Sequence, residues 1–213
     1  MKLSGSILFF VLVYTSTFAQ KVQEKNGIIA VEAEQFDSQT ADSVRRWYVF
    51  TEKTTPSVLP DGDESHAASA SGKAYVELLP DTRRTHADSL VRGQNFSDKA
   101  GDVAVLTYKI WFADTGKYYV WVRAYSTGSE DNGLHVGIDN QWLESGKRLQ
   151  WCDAKNAWTW ESKQRTQKNH CGEPERIFLQ VDTAGWHTVH FSMREDGFEF
   201  DKFVLSKKYE KPE

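Results

Sequence analysis

The chain has 213 residues, 30 of them acidic and 26 basic, for a formal net charge of −4, and it carries 8 Trp, 8 Tyr and 12 Phe. Mixed charge without a basic cluster excludes nucleic acid as an electrostatic partner, and the length suits one domain with a sizeable core. So many rings exceed what such a core hides completely, so some are expected at a surface.

Met1, Lys2 and Leu3 form a short basic leader, and residues 7–13 are an apolar run too short to span a membrane as a helix. Thr17, Phe18 and Ala19 follow as small-residue cleavage positions, so residues 1–19 read as a secretory signal peptide. The expected mature chain starts at Gln20, has no membrane span, and is secreted or periplasmic. In that setting Cys152 and Cys171 are expected to form a disulfide.

From residue 27 onward the pattern is strand, turn, strand. Residues 27–34 and 46–50 read as strands, 51–72 as a long polar loop, and 74–79 as a strand stopped by Pro80. A second polar stretch covers 81–101. Residues 102–111 and 117–125 then form a hairpin turned at Asp114, Thr115 and Gly116, with Tyr118, Val120, Val122 and Ala124 on the expected core face. Strands follow at 134–138, 158–160, 177–181, 186–193 and 198–205, and residues 207–213 are a charged, frayed tail. About ten strands and no amphipathic helix predict an all-β sandwich, most simply a jelly roll over residues 20–206.

Three carboxylates stand out. Strand alternation puts Glu32 and Glu34 on one face, and Asp201 sits among Phe200, Phe203, Val204 and Leu205. If the first and last strands are neighbours, the three converge, and a hard oxygen-preferring cation such as calcium is their natural occupant. The alternative is a solvent-facing edge strand.

The order Glu32-Ala33-Glu34, residues 116–124, 136–140, Trp158-Thr159-Trp160, 184–189 and 194–205 resembles a noncatalytic carbohydrate-binding module. It is similar to families 6 and 35 and to the C-terminal domain of family 115 glycoside hydrolases, which share a galactose-binding-like jelly roll. The resemblance implies a structural calcium on Glu32, Glu34 and Asp201, and a sugar site in loops at one end of the sandwich. Families 6 and 35 often place an asparagine just before the last-strand aspartate, where this chain has Gly197 or Glu199.

A pyranose offers an apolar face and a hydroxyl rim, so its site pairs exposed rings with polar side chains. The aromatic candidates are Trp47, Trp142, Trp151, Trp158 and Trp160. Trp151, beside a cysteine in a polar loop, is expected to be hard to bury, whereas Trp121 is expected to be covered. Trp158 and Trp160 share a face and are both core or both platform. The polar candidates are Asp131, Asn132, Asn156, Arg194, Glu195 and Asp196, with Arg123 and Arg194 alternatively paired to Glu161 or Glu195. The expected partner is a polysaccharide or oligosaccharide, together with a glycan-degrading enzyme that the module assists. The rival readings are a jelly-roll polysaccharide lyase using Tyr119, His135 and Arg123, and a protein-interaction or adhesion module on the same loops.

Overall fold

The computed structural model describes residues 22–40, 43–152 and 154–213. The leader 1–19 and the start at Gln20 lie outside the described residues. Thirteen strands are present among these: β1 (Val22–Gln23), β2 (Ile28–Glu32), β3 (Ser38–Gln39), β4 (Arg46–Thr51), β5 (Ala74–Leu79), β6 (Leu106–Phe112) and β7 (Gly116–Tyr125). They continue as β8 (Gly133–Ile138), β9 (Leu149–Gln150), β10 (Trp158–Glu161), β11 (Phe178–Val181), β12 (Gly185–Met193) and β13 (Glu199–Ser206). One sheet runs β1-β6-β12-β8-β9 with β3 also on β6. The other runs β10-β7-β13-β5-β4, with β11 also on β7 and β2 on β13. The result is the expected all-β jelly-roll sandwich. No helix among the described residues is long and apolar enough to cross a membrane.

Alternation builds the core. Leu106, Tyr108, Ile110 and Phe112 of β6 face Tyr118, Val120, Val122 and Ala124 of β7, all buried, as alternation predicts. The expected hairpin does not form: the turn at 114–116 carries the chain from one sheet to the other, so β6 pairs with β12 and β7 with β13. β13 joins the two ends of the chain. It pairs with β5 at Glu199 and Phe200, and with β2 from Lys202 to Ser206. Between them the register against β7 shifts by a bulge, which spaces Phe200 and Phe203 so that both reach the core despite their odd separation.

β5 is buried along its whole length. Val76 and Leu78 enter the main core, while Tyr75 and Leu79 on the opposite face pack with Phe50, Ala67 and Ala70 under the loop between β4 and β5. That loop gives the seven-stranded sheet a second, smaller apolar layer. Cys152 and Cys171 form the expected disulfide, across 19 positions. Residues beyond β13 do not fray as predicted: the Tyr209 ring lies 4.9 Å from Trp121, covering it, and 5.2 Å from Tyr119.

The first strand is shorter than its sequence suggests. It ends at Glu32, and a 3-10 turn covers Ala33–Gln35, so Glu32 and Glu34 are not alternate residues of one strand. The turn is fixed by Ala33, which is fully buried and whose carbonyl accepts the Tyr108 hydroxyl at 2.7 Å.

Candidate functional site

Most of the loop residues expected at a sugar site are consumed inside the molecule. Trp151 is 1% exposed, with its ring 5.1 Å from Phe198, so the expectation that it stays at the surface is wrong: the polar loop folds it inward over the sandwich end. Trp47 is buried likewise, its Nε1–H donating to the Ala104 carbonyl at 2.8 Å. Asp131 accepts from Ser126 Oγ, Thr127 N, Thr127 Oγ1 and Gly128 N, closing its own loop. The Asn132 side chain accepts from Gln150, and its backbone N–H donates to Glu195 at 3.0 Å. Asp196 is fully buried and takes Arg45 Nη2 at 2.8 Å and Thr82 Oγ1 at 2.7 Å. Arg194 lies 3.8 Å over the Phe96 ring and 3.7 Å from Glu195; burial pulls its pKa down to about 10. These groups are buried and stiffen the loop end, and even the oxygens and nitrogens left without a hydrogen-bond partner, Asp196 Oδ1 and Arg194 Nε and Nη1, are shut away from a ligand.

Trp142 is half-buried between two glycines. A Cβ on Gly101 would meet its Nε1 at 2.2 Å, and one on Gly137 would meet its ring at 2.8 Å. Asn156 is exposed, in the left-handed region at φ 56°, in the turn before β10.

Of the candidate rings, Trp158 and Trp160 stay half-buried on the outer face of the seven-stranded sheet, while the most exposed tryptophans, Trp111 and Trp186, meet edge-on at 5.4 Å on the six-stranded sheet. Trp158 and Trp160 alternate along β10, opposite Tyr125 and Arg123 of β7. Trp158 is held edge-on to Tyr75 at 5.3 Å and Tyr125 at 5.4 Å, and its Nε1–H donates to Ser69 Oγ at 3.2 Å. Trp160 has Lys202 over its ring at 5.7 Å. Together they line an open cleft of 450 Å³ with Ser69, Ser71, Arg123 and Lys202. A second cleft of 340 Å³ shares Trp160 and adds Trp121, Glu161, Lys163 and Tyr209. Ring faces beside hydroxyls and cationic donors are the groups a sugar ring needs.

Arg123 pairs with Asp201 rather than with Glu161. The lyase set does not assemble: Tyr119 and Arg123 are on β7, whereas His135 is fully buried in β8 of the other sheet. Both His135 nitrogens are used there, Nε2 with the Ser97 carbonyl and Nδ1 with the Arg148 N–H.

Glu32, Glu34 and Asp201 lie close enough for their charges to interact, for a reason the strand pattern does not contain. Asp201 sits at the bulge where β13 changes partner from β5 to β2, and Glu32 ends β2 at that point, opposite Lys202. The 3-10 turn Ser71–Lys73 closes the gap. Ser71 donates its N–H to Asp201 Oδ1 at 2.8 Å and its hydroxyl to Glu32 Oε1 at 3.0 Å. Glu32 Oε2 and Glu34 Oε2 are buried without partners. Burial, with Glu32 and Asp201 nearby, pushes the Glu34 carboxyl up to about 7. The two orphaned oxygens, from Glu32 and Glu34, are hard donors of the kind a calcium ion takes, whereas both Asp201 oxygens are already engaged, by Ser71 N–H and by Arg123.

A further group was not anticipated. Glu77 and Glu199 are opposite one another on β5 and β13, both nearly fully buried, under the loop that carries Asp61, Asp63 and His66. His66 Nδ1 lies 2.8 and 2.9 Å from the two Glu199 oxygens, and its ring stacks on Tyr125 at 3.7 Å. A glutamate inside the otherwise apolar run of β5 was the available signal.

A β-sandwich with an aromatic cleft on the outside of one sheet has the build of a carbohydrate-binding module. The chain belongs to the family described as "Glycosyl hydrolase family 115 C-terminal domain", whose model matches residues 60–212. It is 59% identical over 184 residues to "Uncharacterized protein P23" of Formosa agariphila, an alignment covering 86% of this chain and 45% of that protein. The chain thus spans about half the length of the curated relative it matches. Among solved structures it is similar to a Podospora anserina GH26-CBM35 beta-(1,4)-mannanase, with 15% identity, TM-score 0.45, and coverage of 88% of this chain and 29% of the other. It is also similar to a family 35 carbohydrate binding module from Clostridium thermocellum, with 10% identity, TM-score 0.43, and coverage of 84% and 96%.

Proposed function

We propose that this chain is a noncatalytic module that holds a polysaccharide or oligosaccharide across the outer face of the seven-stranded sheet. The observation that carries the reading is the Trp158 and Trp160 pair opening on a cleft with Arg123, Lys202 and two serines. Trp160 is the stacking platform. Trp158, fixed by Tyr75, Tyr125 and Ser69, shapes the cleft floor.

In this reading Glu32, Glu34 and Asp201 hold a structural calcium, which supplies the partner that the buried Glu32 and Glu34 oxygens lack and ties β2 to β13. The apolar leader at 7–13 and the Cys152–Cys171 disulfide support export to an oxidising compartment, either secreted or periplasmic. A binding module of this kind brings a glycan-degrading enzyme to its substrate.

The test is a glycan array and an insoluble-polysaccharide pull-down on the chain from Gln20, with and without calcium, assaying the same mixtures for new reducing ends and unsaturated products. Retention on a polysaccharide with no product is expected. Product formation, or no retention on any glycan, overturns the reading.

A further inference from the structure

We propose that the loop before β5 carries a second divalent-cation site, distinct from Glu32, Glu34 and Asp201, in which Asp61, Asp63 and Glu77 supply the oxygen ligands and the Glu199–His66 pair forms the adjoining wall. The ligand atoms of Asp61, Asp63 and Glu77 all lie within 4.8 Å of one another, and those of Asp63, His66 and Glu199 do so too, with Asp63 shared. A single ion reaches atoms at such spacing with small side-chain rotations, because calcium–oxygen bonds are about 2.3–2.6 Å long.

Glu77 within this group and Asp81 beside it are buried carboxylates with few partners. Glu77 is 2% exposed, and the one hydrogen bond it receives comes from the Tyr75 hydroxyl at 3.4 Å, to Oε2. Asp81 is 7% exposed and accepts no side-chain hydrogen bond; Oδ1 is orphaned, and the nearest cation to Oδ2 is Arg84 Nε at 3.6 Å. Asp81 faces the Asp61-Gly62-Asp63 segment so closely that a Cβ on Gly62 would lie 2.3 Å from Oδ2. Buried carboxylates this close must take up protons or share a cation. An oxygen-rich set selects calcium or manganese over softer ions. The ion would clamp the loop between β4 and β5 onto the sheet, over the small core of Phe50, Tyr75 and Leu79.

The site is tested on the chelator-stripped chain from Gln20, by equilibrium dialysis against calcium chloride and, in parallel, manganese chloride, with bound metal counted by mass spectrometry. Glu77→Gln and Asp63→Asn are each expected to lower bound metal by one equivalent relative to wild type, while Glu34→Gln retains that equivalent. The metal should also slow proteolysis of the 52–66 loop in wild type and Glu34→Gln but not in Glu77→Gln. Equal stoichiometry in wild type, Glu77→Gln and Asp63→Asn overturns the proposal, as does a wild type that binds neither ion. Glutamine mimics the protonated glutamate, so Glu77→Gln should fold without metal. Asp63 is exposed, so Asp63→Asn provides the same test if that variant does not fold. None of these readouts involves a sugar, so the result stands whether or not the cleft binds one.

Discussion

Replacing Trp158 and Trp160 one at a time separates a residue that builds the cleft from one that serves it. Trp158→Ala removes two edge-on aromatic contacts, each worth about 0.5–1.5 kcal/mol beyond buried area, and a hydrogen bond to Ser69 worth about 1 kcal/mol. The loss is roughly 2–4 kcal/mol, and at about 2–4 °C per kcal/mol for a chain of this size Tm should fall by roughly 5–15 °C. Among the described residues Trp160 makes no aromatic pair, and Trp160→Ala forfeits the Lys202 contact, worth about 0.5–1 kcal/mol, so Tm should move by about 4 °C at most. Binding should respond in the opposite order. A ring that stacks on a sugar is worth at least about 1.4 kcal/mol, so Trp160→Ala should weaken polysaccharide affinity tenfold or more. Differential scanning calorimetry and affinity electrophoresis in polysaccharide-containing gels measure the two effects. If Trp160→Ala binds like wild type, or loses as much Tm as Trp158→Ala, the assignment of the platform is refuted.

Three other perturbations have defined outcomes. Chelator treatment should lower Tm, and Glu34→Gln should remove most of the calcium-dependent rise in Tm; an unchanged melting curve with and without calcium would refute the ion's structural role. Burial pulls the His135 pKa from 6.5 to about 4, so the unfolded chain binds a proton that the folded chain refuses. Stability from this residue therefore falls as pH drops from 6.5 to 4, by about 3 kcal/mol in all, and His135→Asn should lack that slope when its denaturation midpoints are compared with wild type. Reducing Cys152–Cys171 frees a loop of 19 positions and should cost about 3 kcal/mol in urea unfolding; equal midpoints with and without reductant would show that the loop is already constrained.

The strands were legible because apolar alternation is a local signal. Residues 117–125 declare their inner face, and β7 buries it. Trp151 was misread because polarity of the surrounding sequence says nothing about whether a loop folds back over the end of a sandwich. Asp131, Arg194 and Asp196 have the chemistry of ligand-binding groups. Only the fold reveals that Ser126, Phe96, Arg45 and Thr82 already engage them. The nearness of Glu32, Glu34 and Asp201 does not come from the strand alternation that suggested it: it depends on a bulge and a 3-10 turn that alternation cannot express. Glu77 and Glu199 were missed because their adjacency is a matter of β5–β13 register, which no single segment encodes.

The outer cleft has walls of unequal rigidity. Trp158 and Trp160 stand on a strand hydrogen-bonded to β7, whereas Tyr209 and Lys211 on the 340 Å³ side belong to a segment past β13 that joins neither sheet. Substitutions there can reshape the cleft without disturbing a backbone ladder. If the cleft binds glycan as proposed, the stretch from Lys208 onward is the part of this surface where glycan preference can be retuned at the least expense to folding, and the place to randomise when selecting variants for a new polysaccharide.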